Sequence, residues 1–230
     1  MLSHYKRSLA RLGDPVARAL LQAHVRPNHL TVVGLGVSIA AASVLAHGRF
    51  RTGAVLLTLA GLFDFFDGSL ARLANRVSAF GAFLDSVVDR YSDLVVLLGI
   101  VLFYHRAGDT HGLLLTLITV VGTVMVSYTK ARAQSIGLSC EIGLMERPER
   151  LIVLIAGAAF NVLTPAMVVL AVLTNLTALQ RILYTRRVTV GAAAREAARE
   201  SVPTVAPVAP KPAPARASAE RESTRLHPMP

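Results

Sequence analysis

Six apolar segments follow one another along most of the chain, and short polar connections separate them. We place these segments at about 29–47, 53–73, 80–104, 111–134, 147–163 and 165–184. A helix of about 20 apolar residues crosses the hydrocarbon core of a bilayer. The pattern therefore predicts an all-α integral membrane protein with six transmembrane helices.

The two ends of the chain depart from this pattern. Residues 1–25 mix apolar residues with Lys and Arg, and Pro15 interrupts the segment. This mixture is too charged for a signal peptide and favours an amphipathic helix lying on the membrane surface. After the membrane domain at 26–187, residues 188–230 are rich in Ala, Pro, Arg, Glu and Ser. We expect this tail to be disordered, or weakly helical at its start.

The overall composition agrees with a membrane protein. Mean hydropathy is +0.52, and 17% of the residues are charged, against about 25% in soluble proteins. The formal net charge of +10 indicates contact with anionic headgroups or phosphorylated substrates. The sequence contains no recognised base-reading motif, so a nucleic acid partner is not expected. The single cysteine, Cys140, excludes a disulfide within one chain.

Positive charge is unequally distributed between the two sides of the predicted bundle. One side holds Arg72, Arg76, Lys130, Arg132, Arg147 and Arg150. The other side holds Arg49, Arg51 and Arg106. Because cytoplasmic loops of membrane proteins are enriched in Lys and Arg, we expect the first side, together with both termini, to face the cytoplasm at the cell membrane.

Four aspartates interrupt the second and third apolar segments at regular spacing. The pattern D-x2-D-G-x2-A-R runs from Asp64 to Arg72, and G-x3-D-x3-D runs from Gly81 to Asp89. Each set falls on one face of a helix, so two neighbouring helices can direct all four carboxylates to one place. Carboxylates inside a membrane are costly and mark a functional site.

Converging carboxylates repel one another unless a cation joins them. Hard divalent cations such as Mg²⁺ and Mn²⁺ match oxygen ligands. The segment contains no His or Cys, which argues against zinc or copper. The candidate metal ligands are Asp64, Asp67, Asp85 and Asp89.

Polar and basic residues near the same end of the predicted helices suggest a second site. They are Ser127, Lys130, Arg147, Arg150 and Arg181. Basic side chains bind phosphate through charge-assisted hydrogen bonds, so a pocket for a phosphorylated acceptor is one interpretation. Ordinary anchoring of basic side chains at the membrane surface is the other.

The full pattern D-x2-D-G-x2-A-R-x8-G-x3-D-x3-D resembles the signature of the CDP-alcohol phosphotransferase family, membrane enzymes that make phospholipids. A chance match to its eight fixed positions is expected on the order of once in a billion start positions. The resemblance covers roughly residues 10–186. Ser127–Ala133 and Glu146–Leu151 further resemble the members that use inositol 1-phosphate as acceptor.

The resemblance implies transfer of a phosphatidyl group from a CDP-linked lipid, CDP-diacylglycerol or CDP-archaeol, to an alcohol, with release of CMP. It implies Mg²⁺ or Mn²⁺ held by Asp64, Asp67 and Asp85, with Asp89 as a shared ligand and as the general base. The implied contacts to the nucleotide and the CDP-lipid are Asn28, Thr31, Asp64, Gly68, Arg72, Ser78 and Asp85. A homodimer is also implied, and the small residues Gly99, Gly122 and Gly157 suit helix association.

The sequence leaves several alternative functions open for the four aspartates. A phosphatidylglycerophosphate synthase, or another enzyme of the same family, would share the aspartates and differ in its acceptor. A divalent-cation transporter would usually spread its acidic residues over more helices. A polyprenyl-diphosphate enzyme would need a second acidic cluster, which the sequence does not show. A purely structural set of buried ion pairs is the last alternative, but the single arginine of the motif cannot neutralise four aspartates.

Overall fold

The structure, a computed structural model, describes residues 21–22, 27–73 and 78–200, without the side chains of 27, 71–72 and 192–200. Residues 27–73 and 78–200 form six α-helices and contain no strand. The helices are α1 (Pro27–Ala46), α2 (Phe50–Leu73), α3 (Ala79–Ala107), α4 (Thr110–Ser135), α5 (Arg147–Ala159) and α6 (Leu163–Glu200). The predicted all-α membrane fold is confirmed. The predicted surface helix at 1–25 lies almost wholly outside the described residues.

Four of the six described helices meet the length and hydropathy of a membrane span, against six spans predicted from the apolar pattern. Among the described helices, α1, α2, α4 and α6 are long and apolar enough to cross a membrane. The charged side chains of α3 interrupt its apolar character. The fifth segment was predicted to reach residue 163, but α5 has 13 residues and ends at Ala159. At 1.5 Å per residue it is about 20 Å long, short of the ~30 Å hydrocarbon core.

The last helix continues beyond its predicted end. The membrane domain was predicted to end at residue 187 and the following tail to be disordered or weakly helical at its start, and α6 runs to Glu200. Residues 191–200 consist largely of Ala with Arg and Glu, which are strong helix formers. The compact unit ends at Thr189, and residues 190–200 are described by themselves only as helix. Residues 201–230 of the predicted tail lie outside the described part.

Helix α1 connects two helices of the bundle, because it packs against both α2 and α3. Further contacts join α2 to α5 and α3 to α4. The apolar core between them includes the fully buried side chains of Leu45, Leu57, Ile100 and Met167. The outer surface is apolar instead of polar. Each of α2 to α6 has at least one apolar side chain that is more than half exposed, for example Val55, Leu98, Val121, Ile152 and Val172. Such a surface suits lipid tails.

Three glycines allow the helices to approach closely. A Cβ atom at Gly99 in α3 would lie 2.8 Å from the Cα atom of Ala42 in α1. Added Cβ atoms at Gly122 and Gly157 would likewise collide with side chains of α6. All three glycines therefore serve packing within one chain. They provide no support for the implied homodimer, which stays a prediction.

Replacement of Gly99 by alanine should destabilise the bundle, because the backbone of Ala42 must shift to admit the methyl group. Overpacking of this kind typically costs ~1–3 kcal/mol. We expect a lower midpoint of thermal unfolding for Gly99→Ala in detergent. Gly36→Ala in α1 is the matched control, since no atom lies within 4 Å of its added Cβ. Equal midpoints for the two variants would contradict the packing described here.

Candidate active site

Three carboxylates converge where α1 holds α2 and α3 side by side. One oxygen atom each of Asp64, Asp67 and Asp85 lies within 4.8 Å of the other two. Asp67 is buried, and the hydroxyl of Thr31 in α1 donates a 2.8 Å hydrogen bond to its Oδ2 atom. The packing of α1 thus brings the two acidic helices together and orients one of the three carboxylates.

The donor set of this cluster fits a hard divalent cation. All of its donors are carboxylate oxygens, the ligands that Mg²⁺ and Mn²⁺ prefer. The Oδ1 atom of Asp85 is buried and has no hydrogen-bond partner among the described residues. Because a buried acceptor without a partner is costly, an ion at this place would satisfy it. The cluster can therefore hold a divalent metal.

The fourth predicted carboxylate, Asp89, lies one helical turn beyond Asp85 and outside this group of three. Its Oδ1 atom is 3.0 Å from the guanidinium of Arg147, at the start of α5. The same guanidinium lies 2.5 Å from Asp64 and 3.6 Å from Asp93. Arg147 is thus at the centre of the acidic residues, and the packing of α5 on α2 places it there.

Asp93 is a site residue that the sequence analysis missed. Its Oδ2 atom accepts a 2.6 Å hydrogen bond from Arg150, and the two side chains are 16% and 8% exposed. Arg150 also donates to the backbone carbonyl of Met145. The spacing contained a signal, because Asp85, Asp89 and Asp93 continue at every fourth residue along α3.

A second carboxylate, Glu146, joins the other two basic residues of the predicted acceptor pocket. Arg181 of α6 is almost fully buried and donates to Glu146 at 3.0 Å, as well as to the carbonyls of Ile142 and Val126. Lys130 lies 3.9 Å from Glu146 and 3.3 Å from Glu141. The predicted cations are therefore grouped in pairs, with Asp93 between one pair and Glu146 between the other.

The remaining predicted residues take different places. Ser127 lines a groove of about 490 Å³ between α3 and α4. Asn28 is exposed near the start of α1. Ser78 caps α3, since its hydroxyl accepts a 2.9 Å hydrogen bond from the amide of Gly81. A Cβ at Gly68 would meet nothing within 4 Å, so a ligand can approach α2 there. The side chain of Arg72 lies outside the described part.

A protein-family model described as CDP-alcohol phosphatidyltransferase matches residues 24–180, which contain the acidic cluster and every cation of the two pairs except Arg181. The chain belongs to the CDP-alcohol phosphatidyltransferase family. It is therefore a transferase, and the acidic residues of α2 and α3 are the signature that its sequence carries.

Curated relatives agree with this membership. The chain is 39% identical to the archaetidylinositol phosphate synthase of Methanothermobacter thermautotrophicus, over 80% of this chain and 93% of that protein. It is 38% identical to the phosphatidylinositol phosphate synthase of Mycobacteroides abscessus, over 76% and 84% of the two chains.

Two solved structures of the phosphatidylinositol phosphate synthase of Mycobacterium tuberculosis share the fold. The structure with bound CDP-DAG is 34% identical and has a TM-score of 0.71, over 76% of this chain and 94% of that chain. The structure in complex with manganese and citrate is 34% identical and has a TM-score of 0.68, over 75% and 88%. At this identity and coverage, the chain shares its fold with these two structures.

Substitution of Asp85 by asparagine should weaken divalent metal binding, because the change removes a charge and keeps the shape of the side chain. We expect weaker Mn²⁺ binding, measured by electron paramagnetic resonance, and slower CMP release from a CDP-linked lipid. Asp109→Asn is the matched control, because Asp109 caps α4 and asparagine caps helices equally well. Unchanged Mn²⁺ affinity in Asp85→Asn would contradict a metal at this cluster.

Proposed function

We propose that the protein transfers the phosphatidyl group of a CDP-linked lipid to the hydroxyl group of inositol 1-phosphate, giving phosphatidylinositol phosphate and CMP. The observation that carries the acceptor is the position of Arg147, which pairs with Asp64 of the acidic cluster and adjoins a second, buried arginine. A phosphorylated acceptor bound there would have its hydroxyl close to the carboxylates. The names of the two curated relatives support the same acceptor.

The metal ligands in this proposal are Asp64, Asp67 and Asp85, with Thr31 holding Asp67 in place. Mg²⁺ and Mn²⁺ both suit these oxygens, and the manganese complex of the M. tuberculosis enzyme supports a divalent ion. When bound, such an ion polarises a pyrophosphate and stabilises the negative charge on the departing phosphate. Gly68 leaves room beside this cluster for the nucleotide, and Asn28, Arg72 and Ser78 are its further proposed contacts.

Asp89 is the proposed general base. It follows Asp85 by one turn, so its carboxylate borders the acidic cluster on the side where Arg147 lies. The acceptor hydroxyl forms the new bond to phosphorus, the bond from phosphorus to the CMP oxygen breaks, and the hydroxyl proton passes to a carboxylate oxygen of Asp89. The same carboxylate can reach a metal ion, so a shared ligand role is the competing assignment.

The acceptor phosphate is proposed to bind the basic residues. Arg147 and Arg150 lie together on α5 and share Asp93. The proposed set is completed by Ser127, Lys130 and Arg181. Each cation is already paired with a carboxylate in the described structure, so these pairs hold the cations near the pocket before the acceptor arrives. Arg181 has the least freedom, because three of its nitrogens donate hydrogen bonds within the protein.

The location of the enzyme follows from its helices and its charges. The apolar outer surface is that of a membrane protein. We propose that the site and both termini face the cytoplasm at the cell membrane, because the basic residues are concentrated at that end. The donor is proposed to be CDP-diacylglycerol or its archaeal ether counterpart, and the assembly a homodimer.

CMP release across a panel of acceptors tests the acceptor assignment. We expect inositol 1-phosphate to be used in preference to inositol, glycerol 3-phosphate and serine. Arg150→Ala should raise the KM for inositol 1-phosphate about ten- to hundredfold, since a charge-assisted phosphate contact contributes ~1.5–3 kcal/mol. The KM for the CDP-lipid should change much less. Arg51→Ala, an exposed arginine at the start of α2, is the control. A preference for free inositol would refute the assignment.

Asp89→Asn separates the two roles proposed for this carboxylate. Asparagine keeps the shape and can still offer a metal an oxygen atom, but it cannot accept the proton. Loss of a general base typically lowers the rate by ~10²–10⁴-fold. We expect a fall in kcat of this size, with little change in metal or CDP-lipid binding. If a high concentration of Mg²⁺ or Mn²⁺ restores the rate, Asp89 is a ligand and the base lies elsewhere.

A further inference from the structure

Arg147 contacts carboxylates that have two different proposed roles, metal binding and proton transfer. Its guanidinium pairs with Asp64, which is one of the three candidate metal ligands, and with Asp89, the proposed base. It also lies 3.6 Å from Asp93, which holds the neighbouring Arg150. Asp64 is therefore shared between the metal cluster and a cation proposed to bind the acceptor.

A divalent ion and Arg147 oppose each other at Asp64. Two cations on one carboxylate are only a few ångströms apart, and repulsion at that distance is strong where water is scarce. The Arg147 side chain is 22% exposed, so water screens the repulsion only in part. Metal binding should weaken the pair between Arg147 and Asp64.

Departure of Arg147 would leave none of its three partners without a cation. Asp64 would gain the metal ion. Asp93 would keep Arg150 at 2.6 Å, and Asp89 would keep Arg90 at 3.8 Å. Moving a buried ion is usually costly because it leaves an opposite charge buried without a partner. Here every carboxylate keeps or gains a cation, so a metal ion can replace Arg147 at Asp64 at a low cost.

The Arg147 side chain is more exposed than that of Arg150, at 22% against 8%. It lines two small cavities of about 40 and 20 Å³, which Ser38 and Ser92 also line. Its Nε atom is buried and forms no hydrogen bond among the described residues, although it lies 3.6 Å from Asp93. Arg150 differs, because Asp93 and the carbonyl of Met145 hold it in place. Of the two arginines of α5, Arg147 is the one able to change partners.

We propose that a divalent metal ion displaces Arg147 from Asp64, and that the released guanidinium then binds the phosphate of the acceptor. This inference rests on the proposed function and adds a coupling between its two sites. Metal and acceptor bind with positive cooperativity, and the coupling is reciprocal. Arg147 is a positioning residue for the metal cluster and a binding residue for the acceptor.

The test is calorimetric binding of inositol 1-phosphate to the purified full chain in detergent, with and without saturating Mn²⁺. We expect at least fivefold tighter binding with Mn²⁺, about the lower end of typical coupling between sites. In Arg147→Gln this factor should fall towards one. The same variant should bind Mn²⁺ more tightly than the original protein in electron paramagnetic resonance, because its competitor is gone. Arg150→Gln should bind the acceptor more weakly in both conditions and keep the factor.

Two results would overturn the inference and leave the proposed function intact. One is equal affinity of the original protein for inositol 1-phosphate with and without Mn²⁺, a comparison that needs no variant. The other is Mn²⁺ binding by Arg147→Gln that is no tighter than in the original protein, provided the variant elutes as the same folded species. Failure of inositol 1-phosphate to bind in either condition would instead refute the proposed function, and the coupling with it.

Discussion

The fold of this protein depends on the balance of charge inside an apolar helical bundle. Carboxylates of α2 and α3 lie close together in partly buried positions, and cations offset their mutual repulsion. Arg147 and Arg150 supply part of that charge from α5. The buried Oδ1 atom of Asp85 has no hydrogen-bond partner among the described residues, so the protein leaves part of this negative charge without a partner. The carboxylate oxygens suit a divalent ion, which would complete this balance.

The architecture around the site serves this balance. Helix α1 packs on both acidic helices and contributes Thr31, which holds Asp67. Helix α5 is short, yet its packing on α2 brings two arginines to the acidic residues. Close contacts such as that between Gly99 and Ala42 fix the helices at a small separation. This close packing of the helices places the carboxylates near enough to one another to share cations.

The sequence predicted the features that depend on local periodicity and failed for those that depend on packing. Asp64, Asp67 and Asp85 follow helical spacing, and the structure brings them together. Asp93 continues that spacing but lies beyond the family signature. Its partner Arg150 is 57 residues away, and a pair so distant depends on how α5 packs. The apolar run also hid the end of α5, where Asn161 adopts a positive φ of 57° and the chain turns.

If the coupling holds, a divalent ion binds between the three carboxylates and replaces Arg147 at Asp64. Anomalous diffraction at the manganese edge, from crystals grown with Mn²⁺, tests it most directly. We expect an anomalous peak coordinated by oxygens of Asp64, Asp67 and Asp85, with the guanidinium of Arg147 separated from Asp64. A peak elsewhere in the chain, or a peak at the cluster with the pair between Arg147 and Asp64 intact, would contradict it.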